Sequence, residues 1–247
     1  MKIHFLGTNG WFCSETGETP CVLIDSEEAY VIFDAGNGLR KIDQWIIEPK
    51  PIYLFLSHFH LDHTYGFHLL PKFDFQQGMT IVTQRGGKAV LDQLVNRPFT
   101  CPIDRLRTPI TIREVEPGHH VAPIPFECRL LVHADPCLGF RLRLENKVVS
   151  YCTDTGVCDA VVALAREADL LITECAWKER NQFSKWPHLA PEDGAEMAKA
   201  AGVKCLALMH FDARSYPTLA ARFDAAERAK AIFPNTLAMI DDQLIEV

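Results

Sequence analysis

Ser57-His58-Phe59-His60-Leu61-Asp62-His63 gathers three imidazoles and one carboxylate into the six residues 58–63 of a 247-residue chain. The stretch follows Ile52–Leu56, an almost wholly apolar run of the kind a strand buried on both faces needs. In an extended strand end His58 and His60, two apart, point the same way. Asp62 and His63 open a run of helical character, Leu61–Leu70, that stops before Pro71, and they can face the same pocket from its other side. Neutral imidazole and carboxylate are the usual ligands of zinc and similar divalent ions. One histidine reads as a core or surface residue; three with an aspartate at this density read as a metal site.

Outward from this stretch the chain alternates apolar runs with turn signals. Lys2–Leu6, Pro20–Asp25 and Tyr30–Asp34 read as strands before it. After it, Thr80–Thr83 reads as strand and Ala89–Val95 as helix. Strand character then dominates in Thr111–Val115, Phe126–Val132, Gly139–Leu144 and Lys147–Tyr151. Asp159–Glu167 reads as helix, Leu170–Thr173 as strand and Cys205–Met209 as a buried strand. Pro191–Ala201 is a helix with Pro191 in its first turn, Glu192 and Asp193 at the positive end of its dipole, and Gly202 at its stop. Thr218–Ile232 is an amphipathic helix, and Leu237–Ile240 and Gln243–Val247 close the chain as short strands. No repeat, low-complexity segment or long linker intervenes. Residues 1–247 are therefore expected to form a single α/β domain of two packed sheets with helices outside.

Composition bounds the function. Apolar residues make 48% and charged residues 23%, which excludes a largely disordered chain. A formal net charge of −7 argues against general nucleic-acid binding, though not against a local site where metal ions supply positive charge. The apolar runs are far shorter than the roughly 20 residues of a membrane helix. Met1–Gly7 reads as a strand and turn, so no secretory signal is expected. Nine cysteines, an odd count without CxxC spacing, argue against a disulfide framework or a zinc ribbon and for a reducing cytoplasm.

The HxHxDH spacing of residues 58–63 resembles the metallo-β-lactamase superfamily, and the resemblance runs along almost the whole chain. Phe5-Leu6-Gly7-Thr8 and Phe33-Asp34-Ala35-Gly36 look like its opening strands. His133 stands where a further metal histidine is expected. Tyr151-Cys152-Thr153-Asp154-Thr155-Gly156 is similar to the segment with the bridging aspartate, and Leu206–Phe211 to the strand before the last metal histidine. Ile172-Thr173-Glu174-Cys175 and His188-Leu189-Ala190-Pro191 point to the ribonuclease Z-like branch. The resemblance implies a four-layer αββα sandwich and two divalent ions, zinc or else manganese. His58, His60 and His133 would hold one ion, Asp62, His63 and His210 the other, with Asp154 and a hydroxide between them. Two dications about 3.5–4 Å apart repel unless an anion lies between, and sharing a water between them makes a nucleophile at neutral pH. Asp62, His188 and Glu174 form the implied catalytic set, with His188 protonating a leaving oxygen and Glu174 orienting His188.

A phosphodiester substrate, either a small molecule or a short nucleic acid, suits two clamping dications. The long tRNA-processing enzymes of the branch carry a protruding basic arm, and phosphoribosyl cyclic phosphodiesterases a cysteine cluster; neither is visible here. Other readings stay open: a lactone, amide or thioester hydrolase on the same scaffold, a di-iron redox protein, or a non-catalytic binding module. The di-iron reading expects a carboxylate in place of a motif histidine. The binding module would have to hold seven converging polar groups without a charge to satisfy them. Asp34 is expected to hold the loop beneath the metal histidines rather than a metal. His68, His119, His120 and His4 are expected in a helix, a turn, a turn and a strand. Trp177, Arg180, Phe183, Lys185 and Trp186 either fold over the pocket or meet a base and phosphate. No membrane partner is expected, and a homodimer is implied by the resemblance alone.

Overall fold

The computed structural model describes residues 1–180 and 185–247. The first half runs β1 (Lys2–Gly7), β2 (Asn9–Gly10), β3 (Cys21–Asp25), β4 (Tyr30–Phe33), β5 (Ile52–Phe55), α1 (Leu61–Thr64), β6 (Met79–Gln84), α2 (Gly87–Leu94) and β7 (Ile110–Val115). The second half runs β8 (Gly118–His120), β9 (Phe126–Leu130), β10 (Leu138–Leu144), β11 (Lys147–Cys152), α3 (Asp159–Ala165), β12 (Leu170–Glu174), α4 (Pro191–Ala201), β13 (Leu206–Met209), β14 (Phe211–Asp212), α5 (Leu219–Lys230), β15 (Thr236–Ala238) and β16 (Gln243–Glu246).

Two seven-stranded sheets result, in the orders β16-β1-β3-β4-β5-β6-β7 and β15-β13-β12-β11-β10-β9-β8. Each is antiparallel at one end and parallel at the other. Strands β4 to β7 run parallel in the first sheet, as do β11, β12, β13 and β15 in the second. Parallel neighbours need crossover connections, and these carry the helices to the outer faces.

Three apolar clusters match the three interfaces of a helix–sheet–sheet–helix stack. Phe5, Phe33, Phe55, Phe140, Tyr151 and Met209 belong to the cluster between the sheets. The Phe33 and Tyr151 rings lie 4.5 Å apart and 4° from parallel, tying β4 to β11 across it. A second cluster packs α3, α4 and α5 on the second sheet, and a third seals the outer face of the first. No helix among the described residues is long and apolar enough to cross a membrane, and none of the nine cysteines is in a disulfide.

The expected helix over Leu61–Leu70 is instead the single turn α1 followed by a 3-10 segment, Tyr65–Lys72, that runs through Pro71. Gly66 explains the change. Its N–H leaves the helix to donate to Ala35 O at 2.8 Å. His119 and His120 lie in β8, paired antiparallel with β9, rather than in a turn. The sequence reading also passes over the 3-10 segment Asn37–Gln44 and the short parallel bridge between β2 and β14.

Candidate metal centre

The site forms where strands of both sheets end. Asp34 follows β4, the His58–His63 stretch follows β5, His133 follows β9, Asp154 follows β11, Glu174 ends β12 and His210 follows β13. Strand ends aim successive residues into the same crevice, the usual place for ligands in open parallel sheets.

Asp34 fixes the histidine stretch from below. It is wholly buried and at φ 59°, a left-handed conformation that turns its carboxylate under the loop. Oδ1 accepts from Ser57 N at 2.7 Å; Oδ2 accepts from Ser57 Oγ at 2.9 Å, Tyr151 OH at 2.7 Å and His63 Nδ1 at 2.8 Å. The Ser57 hydroxyl has one proton and spends it on the acceptor-only carboxylate. His58 Nδ1, 2.9 Å from Ser57 Oγ, must then be the donor of that pair. The relay fixes Nδ1 of His58 and His63 on their partners and leaves both Nε2 atoms to face the centre. His58 Nε2 is buried and, among the described residues, has no hydrogen-bond partner. Asp135 does the same for His60: it takes the Nε2 proton at 2.8 Å, which turns Nδ1 toward His133 Nε2 at 3.2 Å. Carboxylates behind ligating imidazoles are a common device for setting tautomer and ring angle.

The ligand atoms of His58, His60, His133 and Asp154 all lie within 4.8 Å of one another, and so do those of Asp62, His63 and His210. In the second set His63 Nε2 is 3.2 Å from His210 Nε2, 3.6 Å from Asp62 Oδ2 and 3.4 Å from Asp154 Oδ1. His210 Nε2 is 3.3 Å from Asp62 Oδ2 and 3.1 Å from Asp154 Oδ1. A tetrahedral ion with metal–nitrogen distances of about 2.0–2.1 Å needs donor–donor edges of about 3.4 Å, so these five edges fit one. Asp154 faces the other set with its second oxygen, Oδ2, 3.9 Å from both His58 Nε2 and His133 Nε2. One carboxylate thus stands between two donor sets. The donor types, the orphaned His58 nitrogen and the spacing all suit a pair of divalent cations.

Charge is concentrated here. Burial alone would raise the Asp154 carboxyl, but the His210 and His63 rings hold it well below the usual carboxylate range. Burial pushes the His58 imidazole well below its ordinary value. His63 moves the other way: burial opposes its charge, yet Asp62, Asp154 and Asp34 raise it well above. Cations entering this cage would displace protons.

Glu174 is wholly buried and accepts from Thr155 N at 2.6 Å, His188 Nδ1 at 2.7 Å, Leu189 N at 3.2 Å and Ala176 N at 3.3 Å. It therefore clamps two loops as well as orienting His188, whose Nε2 is left to face the centre. Burial works against an imidazolium at His188, but Glu174 outweighs it and lifts the pKa to about 9. Asp154, His188 and His210 also place ligand atoms within 4.8 Å of one another.

The seven expected donors, His188 and Glu174 meet around one cavity of about 670 Å³ or directly beneath it. Trp177 and Trp186 line it, while Trp177 Nε1 also donates to Trp186 O at 3.4 Å. Arg180 does not reach it: its guanidinium is paired with Asp193 at 3.0 Å and Glu196 at 2.8 Å. Lys185 is exposed, and Phe183 lies outside the described residues. His68 is exposed on the 3-10 segment and His4 is buried in β1 against Trp45. Gly10, Trp11 and Arg214, which line the cavity, and Asp135, which backs His60, carry no motif of their own in the sequence. The nearest signals were local: Asp135 lies two residues after His133 and Arg214 four after His210.

The family described as "Beta-lactamase superfamily domain" matches residues 29–211. Ribonuclease Z of Geobacillus kaustophilus is 27% identical across 98% of this chain and 97% of its own. That alignment extends over 301 positions, so the relative carries segments without counterpart in these 247 residues. Among solved structures, the metallo-beta-lactamase fold protein YhfI from Bacillus subtilis superposes with a TM-score of 0.82 at 20% identity, covering 100% of this chain and 98% of that one. The short form of human tRNase Z gives 0.77 at 21% identity, with 100% and 99% covered.

Proposed function

The chain belongs to the beta-lactamase superfamily, and from that premise we propose that this metal-dependent hydrolase cleaves phosphodiesters at a two-ion centre. The observation that carries the reading is Asp154, one carboxylate with an oxygen toward each of two donor sets, beside a Glu174-backed His188. When bound, two divalent ions would neutralise a diester's non-bridging oxygens and lower the pKa of a shared water. His58, His60 and His133 are assigned to one ion and Asp62, His63 and His210 to the other, with Asp154 between. Imidazole and carboxylate donors suit zinc first and manganese second.

The protein's own groups supply the rest. Asp34 and Asp135 hold three imidazoles in their ligating tautomers. Glu174 on Nδ1 favours a second proton on His188 Nε2, which can hydrogen-bond a phosphoryl oxygen and then protonate the departing one. Glu174 is a positioning residue; His188 touches the substrate.

The Geobacillus relative is named a ribonuclease Z and the human neighbour a tRNase Z, both names of diester-cleaving enzymes. Two features favour a small or single-stranded substrate over a folded tRNA. The cavity, about 670 Å³, falls in the roughly 300–1,000 Å³ range of small-molecule sites. The −7 charge opposes a long polyanion. Metal-loaded protein should turn over bis(p-nitrophenyl) phosphate and lose that activity to a chelator. Turnover of a lactone panel with none of the diester overturns the reading.

A further inference from the structure

Trp11 sits at φ 72°, a left-handed conformation that bulky side chains rarely adopt. Its backbone has a visible purpose, since the N–H donates to Asp62 Oδ2 at 2.8 Å. A glycine would make that bond without strain. The indole is 57% exposed and so adds little to the core. It lines the cavity beside Asp62, and the Arg214 guanidinium rests 5.1 Å from its ring centre.

Arg214 is the one arginine or lysine among the described residues lining that cavity. It is exposed, and among the described residues it forms no ion pair. A permanent cation held on an indole, without a carboxylate partner, is placed to receive something from outside. Across the centre Trp186, 50% exposed, stands 5.5 Å from the His60 ring. Each donor set is thus flanked by an exposed indole.

We propose that Trp11 and Arg214 form a specificity subsite for a flat aromatic substituent on the phosphoryl group, a nucleobase in particular. The inference rests on the phosphodiesterase reading and names the substrate class: nucleotide-type rather than simple alkyl esters. The guanidinium–indole stack is a preformed platform that a planar ring can extend, and stacking of this kind accepts any base.

Binding measured by calorimetry isolates the subsite from turnover. Thymidine 5′-monophosphate and methyl phosphate offer the centre the same phosphoryl group and differ in the nucleoside. Metal-loaded wild type should bind the nucleotide at least about 10-fold more tightly, in keeping with the usual gain from one stacked base. Trp11→Ala and Arg214→Ala should each shrink that ratio toward one, whereas Trp11→Phe should keep most of it. Trp11→Gly should melt at or above the wild-type temperature while losing the preference, because it relieves the strain. A wild type that binds both ligands equally overturns the subsite, as does a Trp11→Ala variant that keeps the full ratio or a Trp11→Gly variant that melts well below wild type. Diester hydrolysis is scored separately, so selective nucleotide binding without turnover would sink the activity and leave the subsite standing.

Discussion

A carboxylate that accepts four hydrogen bonds cannot become an amide without turning an N–H against one of its donors. Asp34 and Glu174 are both in that position. Asp34→Asn should disturb the tautomers of His58 and His63 and weaken metal binding roughly 10- to 100-fold, the usual effect of losing such a partner. Competition with a chromogenic chelator measures it, and unchanged affinity would remove Asp34 from the account. The Glu174–His188 pair makes a pH prediction for the metal-free protein. The His188 pKa is raised in the fold to about 9. Its stabilising share is therefore full below the unfolded value of about 6.5 and is lost as pH rises through about 9. The melting-temperature gap between wild type and His188→Gln should narrow across that window; a gap that widens with pH contradicts the pairing. His58–His63 was legible because its donors are dense in the chain. Trp11 and Arg214 were not, because each acquires meaning only from a partner distant in sequence: Asp62 for one, Trp11 for the other.

At the level of elements, the two-residue bridge of β2 with β14 carries more than its length suggests. It pairs Asn9 with Phe211 and Gly10 with Asp212, which sets Gly10 directly against His210. A Cβ on Gly10 would lie 2.6 Å from His210 Cε1. His210, at φ 50°, is already in a left-handed conformation and has little room to yield. Arg222 of α5, wholly buried, secures the same loop by donating to Thr8 Oγ1 at 2.9 Å, Thr16 Oγ1 at 2.8 Å and Asn9 Oδ1. Gly10→Ala should therefore cost on the order of 100-fold in kcat/KM, as ångström-scale displacement of an active group does. It should weaken the ion held by Asp62, His63 and His210 more than the other. Wild-type kinetics in that variant would show the approach to be slack. The strands and α4 were legible because alternation, Pro191 and Gly202 are local signals. The break after α1 was not. Gly66 abandons helix for a hydrogen bond to Ala35, and a Cβ there would lie 2.3 Å from Gly36 O. Only tertiary packing makes that close approach visible.

Across the whole molecule, each sheet contributes part of one charged cage. Asp34 and residues 58–63 come from the first half of the chain; His133, Asp154, Glu174, His188 and His210 come from the second. Closing the two sheets brings several carboxylates, Asp34, Asp62, Asp154 and Glu174 among them, into or beneath one crevice, and cations are the natural counterweight. Ions that bind the folded chain alone must raise its melting temperature with concentration. Because protons compete for the same nitrogens, that gain should fade as pH drops. The most direct test of the paired-cation centre is elemental analysis of the metal-saturated protein beside Asp154→Ala, with circular dichroism to verify folding. The account predicts two tightly held ions per wild-type chain, and loss of that double occupancy together with turnover in the folded variant. A wild type that retains no ions, or an Asp154→Ala chain that keeps both, contradicts it.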